Sequence, residues 1–235
     1  MKLIFVFILP FLIQATIAKR TTQQSLGKSY NKYGRLVYTE KHTITYEDKK
    51  IVALETQYYD LKESNFAYLK SDFSKNIGVP TYEFLDRRFG RADGTKLSQD
   101  AKSVLVYGKQ NKDDKKQVKS FPVTSDLITG QGLYAYLKVN LKKLTEQKKP
   151  TEIKFLIPMK RTYYSFRIGI KELTDKKVKF RVEIDNFFAR LVAPSLDITY
   201  DRKNSNLLVF EGPSNILDKK QKMRKVKIVY EYPNS

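Results

Sequence analysis

The sequence predicts a mainly β fold: a curved antiparallel sheet or half-barrel with one amphipathic helix packed against its open face. Three features predict it. Several segments alternate apolar and polar residues with period two, the signature of a strand with one buried face. Turn-forming clusters separate them at short, regular spacing, which argues for an all-β architecture. A single stretch breaks the pattern with leucines at helical spacing.

The N-terminal half reads as hairpins. Leu36 to Tyr46 is rich in Thr, Tyr and β-branched residues, which favour strands. Glu47-Asp48-Lys49-Lys50 is a polar turn, and Ile51 to Tyr59 returns from it. Asp60 to Asn65 is a second turn. Phe66 to Phe73 follows as a strand, with a short helix over Leu61 to Phe73 as the alternative. Tyr82 to Phe89 leads into Ala92-Asp93-Gly94-Thr95, read as a turn because Asp-Gly accepts positive φ. Lys96 to Tyr107 is the next strand, and Asn111 to Lys116 is a charged loop.

Leu133, Leu137, Leu141 and Leu144 then recur at steps of four, four and three, with lysines between them. This predicts an amphipathic helix of about four turns over 131–146. Thr129-Gly130 starts it and Pro150 stops it. Its leucines are either plain core or the underside of a lid over an apolar cavity. The C-terminal half returns to strands. Ile153, Phe155 and Ile157 alternate up to Pro158, which lacks the N–H a ladder needs. Residues 162–170 and 177–185 alternate strictly, Leu207 to Phe210 is a short apolar run ending at Gly212-Pro213, and Val226, Ile228, Tyr230 and Tyr232 mark a last strand.

The first eighteen residues stand apart. Met1-Lys2 is a basic start, Leu3 to Ile13 is almost wholly apolar, and Thr16-Ile17-Ala18 fits a cleavage site. Residues 1–18 are thus read as a secretory signal peptide, the apolar run being too short to span a bilayer. Residues 19–235 are expected to form a single β-rich domain, with 146–151 as the candidate linker if it divides. The expected location is outside the cytoplasm: the periplasm, with secretion as the alternative. With no Cys, this exported chain must rely on its apolar core rather than disulfides.

The same composition narrows the chemistry. No Cys and one His exclude thiol nucleophiles, Cys-ligated metals and multi-His sites, so no metal and no cofactor is expected. No phosphate loop, dinucleotide fingerprint, nucleophile elbow or zinc-protease helix occurs. His42 shares a strand face with Glu40, a pairing capable of acid–base work but better read as a structural hydrogen bond. Gly130-Gln131-Gly132 is read as a helix-entry turn. Tyr82, Phe84, Asp86 and Arg88 share one parity, and that face is read as solvated, with Leu85 and Phe89 inward. If it turned inward instead, Asp86 and Arg88 would mark a ligand site or a register device.

The formal charge is +20, from 45 Lys plus Arg against 25 Asp plus Glu, and 34 of the cations are Lys. Dispersed Lys suits weak attraction to anionic surfaces more than bidentate phosphate recognition. Nucleic acid is therefore not an expected partner. The densest cluster is Lys219 to Lys227.

Tyr33-Gly34-Arg35-Leu36-Val37-Tyr38-Thr39-Glu40 and Glu55-Thr56-Gln57-Tyr58-Tyr59-Asp60 resemble the opening hairpins of periplasmic half-barrel proteins, similar to the lipoprotein carriers LolA and LolB. Phe188 to Pro194 and Leu208 to Asn215 look like an uncharacterised exported bacterial family. The resemblance implies a curved sheet around an apolar cavity. The resulting expectation is a non-enzymatic binding or carrier protein of the envelope, holding a lipid or acyl ligand, with Tyr82, Phe84, Leu133, Leu137 and Leu141 as ligand-binding residues. Its other expected partners are an anionic membrane surface or an envelope protein. The alternative is a secreted interaction module built like the two-domain superantigen-like toxins.

Overall fold

The computed structural model describes residues 18–147, 149–190 and 194–233. Apart from Ala18, the expected signal peptide lies outside the described residues. No helix among the described residues is long and apolar enough to cross a membrane.

Fifteen strands form one sheet, and its spatial order explains the shape. Strands β1 (Arg20–Tyr30), β2 (Leu36–Glu47), β3 (Lys50–Tyr59), β4 (Asn65–Asp72), β5 (Thr81–Asp86), β6 (Arg91–Leu97), β7 (Ser103–Lys109) and β8 (Gln117–Pro122) follow one another as an antiparallel meander. The other half runs from β9 (Leu127–Thr129) through β10 (Thr151–Ile157), β11 (Thr162–Leu173), β12 (Lys177–Ile184), β13 (Leu196–Asp201) and β14 (Leu207–Leu217) to β15 (Met223–Glu231). β15 pairs with β1, joining the halves, so β8 and β9 are the two free edges. Short turns make antiparallel neighbours the cheapest pairing. Among the described residues only β9 and β10 run parallel, and they are the pair with a helical crossover between them.

The sheet rolls until its edges overlap. Consecutive strand residues face opposite sides. Ile128 and Ile153 pack on the helical leucines, whereas Leu127 and Leu156 pack on Val104, Val106 and Phe121 of β7 and β8. The β9–β10 edge is therefore a layer between the helices and the far end of the sheet. Apolar face packing closes the roll, with no ladder between β8 and β9. The turn Pro158–Lys160 reinforces the overlap, since Met159 lies against Gly108 of β7.

Inside the roll lie two short helices where a single one was expected. They are α1 (Gly132–Val139) and α2 (Leu141–Glu146), divided at Asn140. Asn140 leaves helical geometry, and its side-chain amide donates to Tyr136 O at 2.9 Å, competing with the backbone as Asn does. The leucine stripe survives the break: Leu133, Leu137, Leu141 and Leu144 are all buried with β10–β14. Ala135 faces the other half, packed with Ile44, Ile51, Leu54 and Phe73. The helices thus fill the roll and touch both of its halves.

Two local expectations are corrected. Asp93-Gly94 is no turn; both residues lie inside β6, and the chain turns earlier, at 87–90. Glycine is needed there for close approach, because a Cβ at Gly94 would stand 2.2 Å from Tyr82 O and 2.5 Å from Tyr107 Oη. The face of Tyr82, Phe84 and Asp86 points inward, reversing the solvated reading. Its aromatic rings outweigh the charged end, because Arg88 supplies Asp86 with two hydrogen bonds and so lowers the cost of burying it.

Candidate functional site

The interior polar groups begin with β2. Tyr38, Glu40, His42 and Ile44 point inward, as their parity predicts. Glu40 and His42 meet: His42 Nε2 and Glu40 Oε2 are 2.8 Å apart, with only 12% and 6% of the two side chains exposed. Register supplies the next partner, since His42 lies directly opposite Thr56 on β3, and His42 Nδ1 is 3.0 Å from Thr56 Oγ1. Gln131, at the entry to α1, donates from Nε2 to Thr56 Oγ1 at 2.8 Å and accepts from Ser71 Oγ of β4 at 2.7 Å.

With His42 neutral and its proton on Nε2, every donor in this relay points the same way. Ser71 donates to Gln131, Gln131 to Thr56, Thr56 to His42 and His42 to Glu40, so each of these buried polar groups is satisfied. Tyr230 reaches Glu40 Oε2 at 3.4 Å across Gly27, where a Cβ would crowd the Tyr230 ring at 3.1 Å. The Glu40–His42 pair is therefore committed to Thr56 and Tyr230. Gln131, through Thr56 and Ser71, fastens the start of α1 to β3 and β4.

The helices have two further polar tethers. Tyr200 Oη donates to Tyr134 O at 3.1 Å, and Lys138 Nζ donates to Ser205 O at 2.7 Å. Burial pushes the Lys138 ammonium down from 10.5 to about 8.

The expected ligand residues fall into two groups. Leu133, Leu137 and Leu141 pack together against β10–β14. Tyr82 and Phe84 belong to an aromatic cluster with Tyr38, Tyr58 and Phe66 at the other end of the roll. Tyr82 alone bridges toward the helices, because its ring covers Gly130 just before α1. A strap of β14 seals the aromatic end. Its ladder with β15 breaks between Pro213 and Leu217, and there Ser214 meets Tyr38 Oη at 2.7 Å while Asn215 donates to Tyr58 Oη at 3.1 Å. Arg91 and Arg88 hold the carbonyls of Asn215 and Leu217 at 2.8 and 3.1 Å. Arg88 thus ties Asp86 of β5 to the end of β14. Burial raises the Asp93 carboxyl above its ordinary value, while Arg91 and the Tyr82 hydroxyl oppose that shift.

Two open depressions lie on the outside of the roll, about 400 and 540 Å³ in volume, and both include Lys70 and Glu83. The first also involves Gln57, Tyr68 and Arg87. Tyr107 lines the second, and burial pushes its hydroxyl up to about 12.

Comparison with known proteins sets this architecture in context. No family model matches the chain, and no curated protein matches it. A crystal structure of a β-barrel-like protein of domain of unknown function DUF1849, from Brucella abortus, matches with a TM-score of 0.51. The match covers 93% of this chain and 99% of that one, at 6% identity. The fold is β-barrel-like. At that identity the likeness concerns the fold, not the side chains of the site. Sequence reasoning paired Glu40 with His42 but missed Thr56, Ser71, Gln131 and Tyr230. Thr56 and Tyr230 sit on inward parities that are legible, but which strand lies beside which is not.

Proposed function

We propose that this β-barrel-like chain is an exported, non-enzymatic binding or carrier protein of the bacterial envelope, and that it takes an acyl or lipid ligand into the volume now filled by α1 and α2. The observation that carries this reading is the helix pair itself. It is an apolar plug contributed by one connection, inserted between two halves of the sheet, and fastened by a few side-chain tethers at Gln131, Tyr134 and Lys138. Displacing it would expose apolar walls from both halves, the kind of lining that acyl chains seek. The burial of Glu40 and His42 within satisfied partners supports binding over catalysis.

The test uses palmitate as probe. After incubation, native mass spectrometry should show a one-to-one adduct, and hydrogen exchange should rise across 131–146. No adduct at millimolar palmitate, or an adduct with unchanged exchange over those residues, sinks the proposal.

A further inference from the structure

Antiparallel pairing sends alternate turns to opposite ends of the roll. The registers place the turns 31–35, 60–64, 87–90, 110–116, 158–161, 185–190 and 218–222 at one end. That end has a distinctive surface. Among the described residues, the large apolar side chains exposed beyond 60% are Tyr33 at 73%, Leu61 at 62%, Phe188 at 77% and Met223 at 65%. All four sit there, on four separate turns or turn margins far apart in sequence.

Each has cations beside it: Lys32 and Arg35 by Tyr33, Lys62 by Leu61, Arg190 by Phe188, and Lys219, Lys220 and Lys222 before Met223. The Lys32 ammonium lies 4.9 Å from the Tyr33 ring centroid. Two acidic residues in these turns accept from backbone N–H groups, Asp60 from Lys62 N and Ser64 N, and Asp218 from Lys220 N and Lys222 N. At the opposite end Asp48, Asp100 and Asp175 stand beside Lys49, Lys102 and Lys176 in sequence, and Asp100 and Asp201 likewise accept from backbone N–H groups. No apolar side chain in those turns matches the exposure of the four tips.

We infer that this end docks on an anionic phospholipid bilayer, with the four apolar tips entering the headgroup boundary and the surrounding Lys and Arg meeting lipid phosphates. In the sheet order the β3–β4, β1–β2, β14–β15 and β12–β13 connections that carry the tips follow one another along this rim, which makes them one surface rather than scattered residues. Stable surface binding takes two signals, apolar insertion and a basic patch, and this end carries both. A soluble polyanion would use the cations and leave the apolar tips in water, so the tips favour a bilayer. The inference concerns the outer surface and does not depend on an interior ligand.

The test is vesicle co-sedimentation with the chain lacking residues 1–18, so that the apolar N-terminal run does not itself partition; every strand among the described residues lies between Arg20 and Glu231. Vesicles of phosphatidylcholine with phosphatidylglycerol are compared with phosphatidylcholine alone. Binding is expected to the anionic vesicles only. Combined Tyr33→Ser, Leu61→Ser, Phe188→Ser and Met223→Ser should weaken it at least tenfold. Lys219→Glu, Lys220→Glu and Lys222→Glu should do likewise. Lys49→Glu, Lys176→Glu and Lys203→Glu, with the same charge change at the opposite end, should bind as the parent does. Circular dichroism melts confirm that each variant is folded. Absence of binding to anionic vesicles at 0.1 M salt overturns the inference, as do equal losses in the two lysine variants or full binding by the apolar-tip variant. Vesicle binding without a palmitate adduct, or the reverse, separates this inference from the proposed interior ligand.

Discussion

Lys138 is the residue whose charge state most directly reports on the plug. Its ammonium, on α1, is held by a single carbonyl and lowered by burial from 10.5 to about 8. Between those values the unfolded chain keeps a proton that the folded chain has released. Folding stability should therefore rise with pH from about 8 to 10.5, and below that window the buried charge is a constant penalty. Lys138→Met should abolish the rise. Urea midpoints for parent and variant from pH 7.5 to 10.5 measure it, and the difference between the two curves cancels the tyrosines that titrate at higher pH. At the same scale, Asp86 has no exposure and holds Arg88 through two hydrogen bonds. Asp86→Ala would leave that guanidinium without its carboxylate, at a cost of about 3–5 kcal/mol, readable in chemical denaturation.

At the scale of elements, α1 and α2 are the least sheet-like part of the chain and the part that fills it. Leu137 is fully buried among residues of β10–β14. Leu137→Ala removes packing on a surface that cannot fully collapse, so a loss of about 2–5 kcal/mol is expected. If the plug is displaceable, that variant should also exchange amides across 131–146 faster than the strands around it. Strands were legible wherever one face is apolar, as in Val178, Phe180 and Val182 of β12, all buried. β1 escaped detection because Gln23, Ser25, Gly27 and Ser29 share its inward parity. Small or polar side chains there leave room for Tyr230 and Glu40, so the usual apolar signal is absent. The turn expected at Asp93-Gly94 failed for a related reason: local turn propensity lost to a close crossing of Tyr107 over β6.

The whole molecule is closed by overlap. Phe121 of β8 and Tyr163 of β11 bring their ring centroids to 6.2 Å, and Leu156 between them is fully buried. Leu156→Asp would put an unpaired charge into that seam. The expected result is a roll that opens at its edges, self-associates through β8 and β9, and elutes from size exclusion as aggregate. A substitution on the outer face of β8, such as Ser120→Asp opposite the exposed Leu105, should leave elution unchanged.

The sequence by itself determined the class of fold, the strands with an apolar face, the leucine stripe and the nearness of Glu40 to His42. These are local facts, fixed by the two-residue period of a strand and the 3.6-residue period of a helix. Only the tertiary structure decided that β15 closes on β1, that β9–β10 tucks beneath β7–β8, and that Gln131 joins the Glu40–His42 relay. It also decided that Tyr33, Leu61, Phe188 and Met223 share one end. Periodicity says which way a side chain points but not what stands opposite. That depends on pairings between residues as far apart as Tyr38 and Ser214, which no local pattern encodes.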